Sequence, residues 1–212
     1  SLSFVNRNEA VSALLDGADD YLLASSPDGL PVGGSSYTIQ AWIKTDEIQD
    51  RGGIVAWGKS TKNKTNALRT SGNYIDNYHW SNDLTSSIET NYADGIWHQI
   101  TATYDAENGL NAIYFDGELV GSGAFSGFDA VASEVAIGRT NLSNELFKGE
   151  ISNVRLWSEA LTEKDVEDSF QGSAVSKESL VASYLTDTRN PLINSASTDS
   201  DNIAVSVQGS PT

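Results

Sequence analysis

The chain has 212 residues, with 13 Lys and Arg against 29 Asp and Glu, which gives a formal net charge of −16, and it contains no Cys and no Met. The lack of cysteine excludes disulfides, a thiol nucleophile and cysteine-based metal centres. The negative charge opposes binding to nucleic acid, and no apolar run reaches the roughly 18 residues of a membrane helix, so we expect no nucleic-acid partner and no membrane insertion.

Short apolar or alternating runs recur along the chain, separated by Gly, Asn, Asp and Ser. This pattern predicts many short β-strands in a sandwich or barrel, and the length fits a single domain over residues 1–212. The predicted strands, in chain order, cover residues 21–24, 37–44, 53–57, 77–80, 97–104, 111–115, 118–120, 134–137, 151–157 and 180–185. In the second of these, alternation places Tyr37, Ile39, Ala41 and Ile43 on one face.

A hairpin and a helix have clear local signals. Asp116 and Gly117 lie between apolar strands and predict a tight hairpin, because both central residues of such a turn need positive φ. Thr162 and Asp165 form a capping pair at the start of a short helix. Residues 163–167 carry a carboxylate at every second position, as the catalytic strand of some glucanases does. They directly follow the helix cap, however, and on a helix the three side chains would point in different directions. We therefore interpret them as a solvated helix face.

The densest run of aromatic, amide and carboxylate side chains lies at residues 73–83, with Arg69 upstream. Sugar sites combine an aromatic wall with convergent polar groups, so this run predicts a ligand site. Trp80 and Asn82 are expected on one side of a strand, and so are Asp76 and Tyr78. The alternative is that Trp80 belongs to the core and Asn82 and Asp83 form a turn. The candidate ligand-binding residues are Arg69, Asn73, Asp76, Tyr78, Trp80, Asn82 and Asp83, and residues 139–144 form a second candidate rim.

Asp16, Asp19 and Asp20 cluster in one predicted turn, and Asp187 lies near the last predicted strands. Carboxylate oxygens are hard ligands that suit Ca²⁺, so these four residues are candidate ligands for a structural calcium ion. The alternative interpretation is a simple turn at Asp16 and Gly17 with the other acids solvated.

Six motifs occur in an order that resembles the laminin-G-like, concanavalin A-like jelly-roll domains. They are residues 16–21, 37–43, 78–84, 94–105, 113–117 and 147–157. The resemblance covers about residues 2–209 and implies an all-β fold, a two-sheet antiparallel jelly-roll sandwich with one short helix. Ser81 stands where Gly is common in the third motif, which is the one departure. Family members often carry a Ca²⁺ that fixes their loops.

The resemblance leaves the function open, because this scaffold hosts lectins, adhesion domains, hydrolases and lyases. Only two histidines, His79 and His98, are present, and no nucleophile elbow occurs. We expect a non-catalytic, lectin-like module that binds a glycan or polysaccharide, within a larger secreted or cell-surface bacterial protein with flanking domains. The chain starts at Ser1 without a Met, in keeping with a segment of a longer chain. The alternatives are a protein–protein adhesion or structural domain, and a polysaccharide lyase or hydrolase.

Overall fold

The computed structural model describes residues 3–7, 10–173, 175, 178–186 and 206–208. Within them, fifteen strands form two antiparallel sheets and one helix follows β13, so the predicted all-β jelly roll is confirmed. The elements are β1 Ser3–Arg7, β2 Ala10–Asp16, β3 Tyr21–Ala24, β4 Tyr37–Lys44, β5 Gln49–Gly58, β6 Thr65–Gly72, β7 Tyr74–Tyr78, β8 Leu84–Thr85, β9 His98–Asp105, β10 Leu110–Phe115, β11 Glu118–Ala124, β12 Val135–Ile137, β13 Lys148–Trp157, α1 Glu163–Phe170, β14 Leu180–Tyr184 and β15 Ser206–Gln208.

Many strands that neighbour each other in a sheet are distant in the sequence. The first sheet has the order β1-β2-β13-β4-β9-β10-β11, and β14 pairs with the second half of β13. The second sheet has the order β15-β3-β12-β5-β6-β7-β8. The single helix of the described residues spans eight residues, and no helix there is long and apolar enough to cross a membrane.

The hydrophobic core lies between the sheets. The predicted face of β4, made of Tyr37, Ile39, Ala41 and Ile43, is completely buried there. Val55, Trp57 and Leu68 of the second sheet belong to the same core. Full burial of an aliphatic or aromatic side chain contributes roughly 1.5–3 kcal/mol, so this layer stabilises the sandwich and holds both outer faces in place.

A polar network crosses the core next to these side chains. The Tyr37 hydroxyl donates to Asn77 Oδ1 at 2.9 Å, and Asn77 Nδ2 donates to Asn111 Oδ1. Asn111 Nδ2 lies 3.1 Å from His79 Nε2, and His79 Nδ1 lies 3.1 Å from the Thr65 carbonyl. A neutral His79 with its proton on Nδ1 satisfies every one of these contacts. Burial lowers the pKa of His79 to about 3.

Helix α1 begins as the capping pair predicts. Thr162 Oγ1 accepts the Asp165 N–H at 3.2 Å, and Asp165 Oδ2 accepts the Thr162 N–H at 3.0 Å. Val166 is buried against Tyr114 and Trp157 on the outer face of the first sheet. Because residues 163–167 lie on this helix, their interpretation as a helix face is confirmed.

The predicted hairpin between β10 and β11 is also present. Asp116 has φ +51° and Gly117 has φ +85°, as a two-residue turn of this type requires. A Cβ on Gly117 would lie 3.2 Å from the Phe170 Cβ, so this turn also sits close to the end of helix α1.

Candidate functional site

The outer face of the second sheet carries three of the seven predicted ligand residues. Arg69 of β6 is paired with Asp76 of β7, and Ala67 is paired with Tyr78. Since side chains alternate along a strand, Arg69, Asp76 and Tyr78 point outwards while Leu68 and Asn77 point into the core. The expectation that Asp76 and Tyr78 share a face is therefore confirmed.

Arg69 is the centre of a buried ion-pair network on this face. Its Nε donates to Asp76 Oδ2 at 3.1 Å, its Nη1 donates to Glu145 Oε1 at 2.9 Å, and its guanidinium lies 3.9 Å from the centre of the Tyr78 ring. Burial alone would lower the pKa of Arg69, but the carboxylates of Glu145 and Asp76 outweigh this effect and raise it. The charges of this network are thus satisfied within the protein, and a ligand-binding role for the three predicted residues stays a prediction.

The other four predicted residues lie beyond or beside β7. Trp80 is half-exposed with φ +76°, and its ring lies 6.2 Å from that of Tyr78. Asn82 Nδ2 donates to Asn63 Oδ1 at 2.8 Å. Asp83 Oδ1 accepts the His79 N–H at 2.7 Å, and burial raises the pKa of this carboxyl. The Asn73 carbonyl accepts the Thr90 N–H at 2.7 Å.

One detail of the sequence interpretation is wrong here. Strand β7 ends at Tyr78, so Trp80 and Asn82 do not share a strand face. The left-handed backbone of Trp80 turns the chain out of the sheet, and the Asp83 carboxylate holds that turn through the His79 N–H. Ligand binding by Asn73, Trp80, Asn82 and Asp83 stays a prediction.

A segment that the sequence analysis did not connect with Arg69 crosses the same region. In this loop of residues 139–146, Glu145 Oε2 accepts the Thr140 hydroxyl at 2.6 Å and the Glu145 carbonyl accepts the Gly53 N–H at 3.2 Å. A Cβ on Gly53 would lie only 2.1 Å from the Thr140 nitrogen. Glycine at this position of β5 therefore lets the loop lie directly against the strand.

A groove of about 370 Å³ opens between the start of this loop and the end of β5. Its lining residues are Leu23, Gly58, Lys59, Ser60, Ser133, Glu134, Ala136, Arg139, Thr140 and Asn141. We call it the first groove. Three residues of the second candidate rim, Arg139, Thr140 and Asn141, thus lie on a cavity, although the sequence supports them less strongly as a ligand site than residues 73–83.

Contacts within the protein hold Arg139 and Asn141 in place. The Arg139 guanidinium lies 3.9 Å from the centre of the Tyr21 ring. Asn141 Nδ2 donates to the Gly58 carbonyl at 2.9 Å, and the Ser60 hydroxyl donates to the Asn141 carbonyl at 3.1 Å. In the part of the chain that the structure describes, Arg139 Nε and Asn141 Oδ1 are buried without a hydrogen-bond partner. One donor and one acceptor are therefore left unused beside the first groove.

Three of the four predicted calcium ligands are close together. Carboxylate oxygens of Asp16, Asp19 and Asp20 lie within 4.8 Å of one another. Asp16 Oδ1 accepts the N–H groups of Ala18 at 2.8 Å and Asp19 at 3.3 Å, and the first of these bonds is the main cause that lowers the Asp16 pKa to about 2. The fourth predicted ligand, Asp187, lies outside the described residues.

The comparisons with known proteins agree with the fold. Residues 16–167 match a sequence family described as the concanavalin A-like lectin/glucanases superfamily. The chain is 26 % identical over 140 residues to a rat (Rattus norvegicus) protein named for its sushi, von Willebrand factor type A, EGF and pentraxin domains. The match covers 61 % of this chain and 4 % of the rat protein.

Two solved structures show the same architecture. The first is a Bacteroides ovatus protein provisionally assigned to carbohydrate binding, with a TM-score of 0.64 and 23 % identity, covering 85 % of this chain and 52 % of that one. The second is domain 4 of AbnA, an extracellular arabinanase of Geobacillus stearothermophilus, in complex with arabinotriose. It has a TM-score of 0.55 and 22 % identity, covering 79 % of this chain and 80 % of that one.

Proposed function

Because the chain belongs to the concanavalin A-like lectin/glucanase superfamily, we propose that it is a non-catalytic module that binds a carbohydrate in the first groove. The observation that carries this proposal is the pair of buried, unused polar atoms, Arg139 Nε and Asn141 Oδ1. Leaving such atoms without partners is costly, and a sugar hydroxyl both donates and accepts hydrogen bonds. A bound sugar could satisfy these two atoms once a rotation of each side chain exposes them to the first groove.

The similar proteins support the same proposal. Two of the similar structures are a protein provisionally assigned to carbohydrate binding and a domain that holds arabinotriose. Both the rat protein and the Bacteroides structure are longer than this chain, which suits a module with flanking domains. By analogy with the extracellular arabinanase, we place the module in an extracellular or cell-surface protein.

The arrangement of acids favours binding over hydrolysis. Glycosidases of the usual type flank the scissile bond with two carboxyl groups, and the separation of the pair decides the stereochemical outcome. Of the residues that line the first groove, Glu134 alone carries a carboxylate. Asp76 and Glu145 are both ion-paired to Arg69. We infer that the groove holds a sugar without cleaving it.

Removing either rim group is expected to weaken binding. A glycan array identifies a ligand for the unmodified protein, and calorimetry then gives its affinity. Asn141→Ala and Arg139→Ala should each reduce this affinity by about tenfold or more, since each removes a hydrogen bond in a partly desolvated site. Ser143→Ala, at an exposed position of the same loop, should bind as the unmodified protein does. The proposal would be contradicted if no glycan on the array bound, or if the unmodified protein and the three variants bound the ligand with equal affinity.

We also propose that Asp16, Asp19 and Asp20 hold a structural Ca²⁺. Their carboxylate oxygens lie within 4.8 Å of one another and are hard ligands of the kind that Ca²⁺ prefers. Calcium should then raise the melting temperature of the protein and EDTA should reverse the change. Asp16→Asn should abolish this response, while Asp46→Asn, at an exposed site, should retain it. A melting temperature that does not respond to calcium in the unmodified protein would refute this site.

A further inference from the structure

A second groove, of about 490 Å³, lies on the outer face of the first sheet, on the opposite side of the sandwich from the first groove. It is lined by Trp42, Asn153, Arg155, Ser169, Phe170, Gly172 and Ser173. The rings of Trp42 and Phe170 stack with their centres 5.7 Å apart, so the end of helix α1 covers one side of the Trp42 ring. The half-buried indole of Trp42 forms an aromatic wall of this second groove.

A bulge in β13 brings two polar side chains to the second groove. The register between β13 and β4 shifts between Ser152 and Arg155, and Asn153 has φ +48°. Such bulges redirect side chains, and here the shift leaves Val154 in the core while Arg155 lies opposite Gln40 on the outer face. Asn153 Oδ1 is buried, and no group of the described chain forms a hydrogen bond with it.

Arg155 differs from Arg69 in having no anionic partner among the described residues. Arg69 is paired with two carboxylates, whereas no carboxylate among the described residues forms an ion pair with Arg155. Burial lowers the pKa of Arg155. A partly buried cation without a counter-charge is unfavourable.

We propose that the second groove binds an acidic sugar, with the carboxylate of a uronate on Arg155. The planar guanidinium can hold a carboxylate through two parallel hydrogen bonds. The apolar face of a sugar ring can pack on Trp42, and a ring hydroxyl can donate to Asn153 Oδ1 once a rotation of that side chain exposes the oxygen. The volume lies within the range of small-molecule sites. One part of this inference rests on the proposed function, namely that the carboxylate belongs to a sugar.

The test compares two disaccharides that differ only at C6 of each ring, digalacturonate with carboxylates and its neutral galactose counterpart with hydroxymethyl groups. Calorimetry at about 150 mM salt limits the long-range repulsion from the net charge of the chain. The unmodified protein should bind digalacturonate about tenfold more tightly than the neutral sugar, and Arg155→Gln should abolish this preference. Arg155→Lys keeps the charge without the planar fork, so it should retain only part of the preference.

Melting temperatures separate a binding role from a structural one. Because no carboxylate in the described part of the chain pairs with Arg155, Arg155→Gln should not lower the melting temperature. Lys44→Gln is the matched control, because Lys44 lies on the same sheet and pairs with Glu150 at 3.3 Å. It should keep the preference for digalacturonate. A destabilised Arg155→Gln protein, or a Lys44→Gln protein with equal loss of preference, would overturn the proposal.

The first groove serves as an internal reference. Asn141→Ala should bind digalacturonate as the unmodified protein does, so a failure of one groove does not imply a failure of the other.

Tetraglutamate tests the competing ligand class: binding as tight as that of digalacturonate would show a site for acidic peptides and overturn the proposal. Absence of any preference for the charged disaccharide in the unmodified protein would also overturn it.

Discussion

Replacing Glu145 with alanine is expected to lower the free energy of unfolding by about 3 kcal/mol. The substitution leaves Arg69, whose side chain is 11 % exposed, with Asp76 as its one anionic partner among the described residues. It also removes the acceptor of the Thr140 hydroxyl, which fixes the start of the loop at residues 139–146. Breaking a buried ion pair from one side costs more than the pair contributes, because the remaining charge stays buried.

Thermal or urea unfolding measures this effect, and the melting temperature should fall by roughly 6–12 °C in a chain of this length. Asp129→Ala is the matched control, because Asp129 also pairs with a cation, Lys64, but its side chain is 65 % exposed. Exposed pairs contribute little, so the control should melt within about 1 °C of the unmodified protein. Equal melting temperatures for Glu145→Ala and Asp129→Ala would show that the network on the second sheet does not hold the loop.

Lowering the pH from about 7.5 to about 5.0 should remove roughly 2 kcal/mol of stability through His79 alone. The ordinary pKa of histidine is 6.5, and burial lowers that of His79 to about 3 in the folded chain. Between these values the unfolded chain binds one more proton than the folded chain, so stability decreases as the pH falls. Below about pH 3 both states are protonated and this contribution no longer changes.

Urea unfolding at several pH values measures the slope in the unmodified protein and in His79→Gln. The variant should be less stable at pH 7.5, since the contacts to Asn111 and Thr65 are altered, but it should lose less stability on acidification. His98, which lies between Asp94 and Asp116, is common to both proteins and cancels in the comparison. Parallel slopes, or an imidazole of His79 that titrates above pH 5 by NMR, would contradict a neutral, buried His79.

Much of the fold could be predicted because its determinants are local. Alternation along β4 identifies the buried face, and Asp116 with Gly117 can form only a few types of turn. Thr162 and Asp165 satisfy each other across a single helical turn, so the cap is readable within four residues. Each of these features depends on the geometry of a short segment.

The site was less predictable because its contacts join distant segments. Alternation places Asp76 and Tyr78 on one face, but it does not reveal that Arg69 of the neighbouring strand lies beside them or that Glu145, 76 residues after Arg69, completes the network. The one local sign of the returning loop is Gly53, and a glycine in a strand is compatible with several arrangements. The bulge that places Asn153 and Arg155 at the second groove leaves one sign in the sequence, the three-residue spacing between the core residues Ile151 and Val154, but this spacing does not reveal which side chains the bulge brings together.

The decisive measurement is a structure of the protein with an oligosaccharide identified on the array. We expect an intact sugar in the first groove, with hydroxyl groups within hydrogen-bond distance of Arg139 Nε and Asn141 Oδ1. A sugar bound on Trp80 or at the Asp16 turn with the first groove empty would contradict this account, and so would a cleaved product.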